Sequence, residues 1–105
     1  MNFTHRVGTL TGIAGSRLAD PEALSGVIIA AAAAIGMSSH GPPVVKSGPR
    51  GVVAGLLCHG GHVVIHALPE ESQCAVDILA MEPGSAERGM EVIAKRLNAT
   101  GRTDR

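Results

Sequence analysis

Two glycines, Gly60-Gly61, separate the runs Val52–Cys58 and His62–Leu68, both rich in valine, leucine and isoleucine. A glycine pair accepts the positive φ angles of a tight turn, so the two runs are predicted to fold back on each other as an antiparallel hairpin. A second turn at Pro69 to Ser72 leads into another apolar run, Cys74 to Met81, and makes a three-stranded meander. Such a sheet must bury at least one face, and the remaining segments have to supply the cover.

Asp20-Pro21-Glu22 starts a helix: aspartate can cap it, proline fits the first turn, and glutamate favours the positive end of the helix dipole. The helix is predicted over residues 21 to 36. Its second half, Ile28-Ile29 followed by five alanines and Ile35, is apolar on every face, which suits packing on a sheet on one side and on a partner subunit on the other. The spacing of Met90, Ile93, Ala94 and Leu97 predicts a second helix over 85 to 97, capped by Ser85 and with Glu91 and Lys95 paired on the exposed side. Thr4 to Ile13 reads as a first strand, and residues 38 to 51 as a glycine- and proline-rich loop with a short extended piece at Val44-Val45. The expected fold is α+β: a two-layer α/β sandwich with an antiparallel sheet of about four strands and two helices on one face. Residues 1–98 form a single domain, and residues 99–105 a polar, frayed C-terminal tail.

Nine basic and nine acidic residues cancel, and the basic ones form no stripe, so nucleic acid is not expected as a partner. Val27 to Met37, the longest apolar stretch, is about half the length that a membrane crossing requires. No transmembrane span and no signal peptide are read. Cys58 and Cys74 form no CxxC pair, so neither a disulfide framework nor a zinc knuckle is indicated, and a cytoplasmic location is expected. Phe3 is the only aromatic residue, so the core must be aliphatic. The all-apolar helix points to a homodimer.

The segment from Pro49-Arg50-Gly51 through His62-Val63-Val64-Ile65-His66 and Pro69-Glu70 to Ala75-Val76-Asp77-Ile78 resembles the central region of bacterial S-adenosylmethionine decarboxylases. The resemblance runs without gaps to Met81. It implies the family's sandwich fold, dimeric assembly, a nucleoside-like ligand and a link to polyamine biosynthesis. It also implies self-cleavage between a Glu and a Ser, which converts the serine into the catalytic pyruvoyl group. Here those positions are Gly60 and Gly61, and glycine has neither a nucleophile nor a group to eliminate. His66 stands at the place of the histidine that assists processing, and Glu70 at that of a site glutamate. The processing serine is replaced by Val53, the proton-donating cysteine by Met81 and the tryptophan by Leu68. The family's last strand finds no counterpart in this reading. A Glu71-Ser72 dipeptide repeats the cleavage pair, but in the next turn.

On a strand, alternate residues share a face, so His62, Val64, His66 and Leu68 point the same way. If the turn pairs Leu68 with Gln73, Val64 lies opposite Asp77, and both histidines sit diagonal to its carboxylate. His62, His66, Asp77 and Cys58 are therefore a candidate ligand set for zinc or another late transition metal. The same residues suit a hydrogen-bonded network inherited from the family. His5 carries no readable role. The expected function is a pseudoenzyme without pyruvoyl that has a binding or regulatory role. The alternatives are a metal-binding protein or enzyme that reuses the His62/His66/Asp77 cleft, and a decarboxylase processed elsewhere.

Overall fold

A computed structural model describes residues 2–105. Its strands are β1 (Phe3–Thr11), β2 (Val44–Gly48), β3 (Gly51–Cys58), β4 (Gly61–Leu68), β5 (Gln73–Met81) and β6 (Gly101–Asp104). The helices are α1 (Gly15–Leu18), α2 (Pro21–Ile35) and α3 (Ala86–Arg96), and a 3-10 turn spans Pro69–Glu71. The strands form one sheet in the order β2-β3-β4-β5-β1-β6, with every neighbouring pair antiparallel.

The α+β expectation stands, with six strands instead of about four. Val44-Val45 extends into an edge strand on β3. At the opposite edge, the segment expected to be a frayed tail pairs with β1, with Gly8 opposite Asp104 and Thr11 opposite Gly101. The strand expected to be missing is therefore present. Its residues are polar because no apolar burial holds it. Backbone pairing does so, together with Arg102, whose Nη1 donates to Glu87 Oε2 at 2.8 Å and whose Nε donates to Asp104 Oδ1 at 2.6 Å. Hydrogen bonds from Arg102, and more weakly from Arg6, hold the Glu87 carboxyl below its ordinary pKa despite some desolvation.

α2 begins as its sequence dictates: Asp20 Oδ1 accepts the Glu22 and Ala23 amides at 3.1 and 3.3 Å. Gly36 ends it at φ 91°, in the left-handed region that glycine occupies without strain. The helix buries Leu24, Val27, Ile28, Ala31, Ala32 and Ile35. α3 buries Ala86, Gly89, Met90 and Ile93 beside it on the same face of the sheet. Much of the apolar helix surface assigned to a partner is thus covered by α3, although Ile29 stays exposed. Between the layers, Leu10, Leu56, Val63, Ile65, Val76 and Ile78 complete an aliphatic core, each large side chain contributing about 2 kcal/mol. Among the described residues, no helix is long and apolar enough to cross a membrane.

Deleting residues 101–105 removes four edge pairs and should lower the unfolding free energy by about 1–2 kcal/mol. Arg102→Ala leaves the backbone ladder intact and should cost less than about 1 kcal/mol. Urea melts followed by circular dichroism separate the two. Equal stability of the truncated and full chains would show that β6 contributes nothing.

Candidate functional site

The helices cover one face of the sheet and leave the other open. On the open face β4 presents His62, Val64, His66 and Leu68, as strand alternation requires. The expected register is the observed one: Leu68 pairs with Gln73 and Val64 with Asp77. On its other side Asp77 pairs with Val7 of β1. His62 and His5 both lie level with Leu79, one on each neighbouring strand, and both are diagonal to the carboxylate. Asp77 Oδ1 receives His5 Nε2 at 2.9 Å and His62 Nε2 at 3.1 Å. An ionised carboxylate only accepts, so both Nε2 atoms donate, and in the neutral rings each Nδ1 keeps its lone pair.

His5, to which the sequence reading assigned no role, is thus half of the network, while His66 is not bonded to Asp77. His66 lies level with Ala75, on the other diagonal, and the carboxylate turns toward the side where two imidazoles converge. The signal for His5 was its odd-numbered place on β1 beside Val7 and Thr9, but using it required knowing that β1 pairs with β5. Partial burial raises the Asp77 pKa, yet the hydrogen bonds and charges of His5 and His62 outweigh that and hold it below the ordinary carboxylate range.

Cys58 does not join the group. It ends β3 on the buried face, under the helices, where its thiol donates to the Leu56 carbonyl. Burial raises its pKa, and it raises that of the Cys74 thiol to about 11, so neither is a ready thiolate. Among the described residues, no group of three or more His, Cys, Asp or Glu side chains is placed to hold a metal ion. The set His62, His66, Asp77 and Cys58 is therefore not assembled: the hairpin turn is His59-Gly60 and not the expected Gly60-Gly61, and Cys58, paired with Gly61 across it, faces the helices. Glu70 also stands apart, exposed on the 3-10 turn, where it lines a cavity with Ala19, Arg50 and Pro69.

At the other end of β4, Gly60 has φ 80°. Gly61 packs so closely on β5 that a Cβ built on it would lie 1.8 Å from the Leu79 carbonyl oxygen and 3.0 Å from Met37 Sδ. The obstacle is backbone, so any side chain at 61 requires the β4–β5 ladder to open. A pyruvoyl group, which derives from a residue bearing a Cβ, does not fit here. Val53 lies opposite His66 on β3, and Met81 crowds Gly60. Ser72 of the second Glu-Ser pair sits in an exposed turn, where its carbonyl accepts the Ile13 amide at 3.0 Å.

A helix-backed antiparallel sheet, with an open face carrying histidines and a carboxylate beside a hairpin turn, is the class of domain that the geometry defines. The chain belongs to the S-adenosylmethionine decarboxylase family, whose model matches residues 4–103. Among solved structures it is similar to the adenosylmethionine decarboxylase of Aquifex aeolicus VF5. The TM-score is 0.86 at 19% identity, covering 98% of this chain and 86% of that one, a likeness that speaks for the fold. No curated protein matches the sequence at a significant level.

The depressed Asp77 pKa sets the sign of a pH effect. Its stabilising contribution is full above the unfolded carboxylate value, about 3.9, and is lost as pH falls through the lower folded value. Asp77 is 44% exposed, so Asp77→Asn should cost only about 0.5–1 kcal/mol at pH 7 and less at pH 3. Urea melts at both pH values check this; an unchanged difference would exclude the carboxylate charge as its source.

Proposed function

We propose that this protein is a non-catalytic member of its family, with a binding or regulatory role linked to polyamine metabolism and no pyruvoyl group. The observation that carries this reading is Gly61, where the nucleophile is absent and the Leu79 carbonyl occupies the space that a side chain would need. Val53 and Met81 add to it: the first offers no hydroxyl for processing, the second no transferable proton. The retained fold and the cleft around His66 support binding of a small, nucleoside-like molecule.

Intact mass spectrometry tests the reading directly. The purified protein should be one uncleaved chain of 10.7 kDa that releases no carbon dioxide from S-adenosylmethionine. Gly61→Ser should also remain uncleaved and should lose about 3 kcal/mol of stability, because the new side chain meets backbone. Fragments ending at residue 60 or 71, or measurable decarboxylation by the protein alone, would overturn the proposal.

The proposal includes a homodimer. The open sheet face carries most of the exposed large apolar side chains, with Leu57 at 70%, Val44 at 60% and Phe3 at 53% exposure, against Ile29 alone at 48% on α2. Leu57 and Phe3 both lie at the Gly60 end of the face, which favours a second copy of the sheet over water there, away from the Pro49-Arg50 turn. Light scattering at micromolar concentration should give twice the chain mass, and Leu57→Glu should reduce it to that of a monomer. If Ile29→Glu dissociates the dimer and Leu57→Glu does not, the helix is the interface; a monomeric parent protein would exclude the dimer.

A further inference from the structure

β2 and β3 are joined by the turn Pro49-Arg50, and on the open side of that corner lies a groove of about 440 Å³, within the size range of small-molecule sites. Pro49, Val53, Ala67 and Leu68 give it apolar walls, and Lys46, Arg50 and His66 are its only titratable lining residues. Lys46 and His66 face the same side of the sheet from opposite flanks of Val53, since Val53 pairs with both in the ladder. Neither Lys46 nor Arg50 forms an ion pair with a described residue, whereas Arg6 and Arg102 are both bound to carboxylates. The groove therefore combines apolar walls with two cations that form no ion pair with a described residue, and its lining holds no carboxylate.

Of the carboxylates near this charge, Asp77 is engaged, and Glu70 forms no ion pair with a described residue but lines the neighbouring cavity and not the groove. The resemblance places a glutamate at the residue before the cleavage point, and here that residue is Gly60. Glu70 borders the neighbouring cavity, which it shares with Arg50 but not with His66. Asp77 lies beyond His66, in the cavity that also holds His62 and Val7, and its Oδ1 already accepts from two imidazoles. A sulfonium cation in the groove would meet Lys46 and Arg50, with no carboxylate among the lining residues. A like charge so placed is repelled, and an opposite one is attracted.

We infer that this groove binds a small molecule with an apolar body and one anionic group, carboxylate, sulfonate or phosphate, in place of a sulfonium ligand. The inference rests on the non-catalytic reading of the cleft and names the ligand class for it. The apolar body lies on Val53 and Leu68, and the anionic group lies between Lys46 and Arg50. His66 supplies a hydrogen-bond donor from the floor.

Two fluorescent probes that differ only in charge test the inference: 1-anilinonaphthalene-8-sulfonate and its neutral counterpart, N-phenyl-1-naphthylamine. The full chain should bind the sulfonate about tenfold more tightly at low ionic strength, and the preference should shrink in high salt. The Lys46→Gln/Arg50→Gln double variant should lose about tenfold in sulfonate affinity and none for the neutral probe. Both side chains are exposed, so the variant should melt with the parent. Arg88→Gln/Arg105→Gln, whose side chains line neither the groove nor its neighbouring cavities, should bind both probes as the parent does. Equal affinity for the two probes, an unaffected Lys46→Gln/Arg50→Gln variant, or tighter binding of S-adenosylmethionine than of adenosine monophosphate would overturn the inference. Carbon dioxide release would instead overturn the non-catalytic reading, and the two failures are read in separate assays.

Discussion

The pairing of β4 with β5 is the constraint on which the rest of the structure depends. Gly61 opposite Ala80 and Leu68 opposite Gln73 set which side chains reach the open face and which go under the helices. A shift of one residue would bury His62, His66 and Asp77 beneath α2 and α3 and expose Val63, Ile65, Val76 and Ile78, four side chains now at most 1% exposed. At about 2 kcal/mol for each large aliphatic residue, that shift is prohibitive. The same register brings Gly61 against the Leu79 carbonyl, so the close approach that excludes a side chain there belongs to the pairing that holds the core together.

The Gly61 contact bears on the proposal that this protein is a non-catalytic member of its family. With glycine at 61, the β4–β5 ladder runs in register from Gly61 to Leu68, up to the turn. Met81, at the place of a proton donor, fills space against Gly60 as an apolar, adaptable side chain. The open face, by contrast, carries polar groups that packing does not need.

Those groups form two distinct sets. His5, Asp77 and His62 satisfy one another, as half-exposed polar groups at the centre of a sheet tend to do. Lys46 and Arg50 form no ion pair with any described residue. His66 lies between the sets, opposite Val53 and lining both cavities, so it joins the network region to the groove without being bonded to Asp77.

Local chemistry was enough to read the helix starts at Asp20 and Ser85, the hairpin, though its turn lies one residue earlier at His59-Gly60, and the meander with its register. Each depends on a few adjacent residues: a cap, a turn conformation or a period of two. The extent of the sheet was not legible in the same way. β6 is four polar residues held by an edge ladder and by Arg102, which leave no apolar periodicity to detect. His5 became a site residue only through β1 joining β5, seventy-two positions away, a contact that no local pattern encodes. Cys58 was lost from the site for the converse reason. Its nearness to His62 in sequence suggested a shared site, but a tight turn carries the chain onto the next strand, and the alternation of faces on each strand put the thiol under the helices. The sequence alone therefore determined what each segment can form and what chemistry residue 61 cannot perform. Only the tertiary structure decided which distant side chains meet, because strand order and facing are set by burial of the whole sheet and not by any single strand.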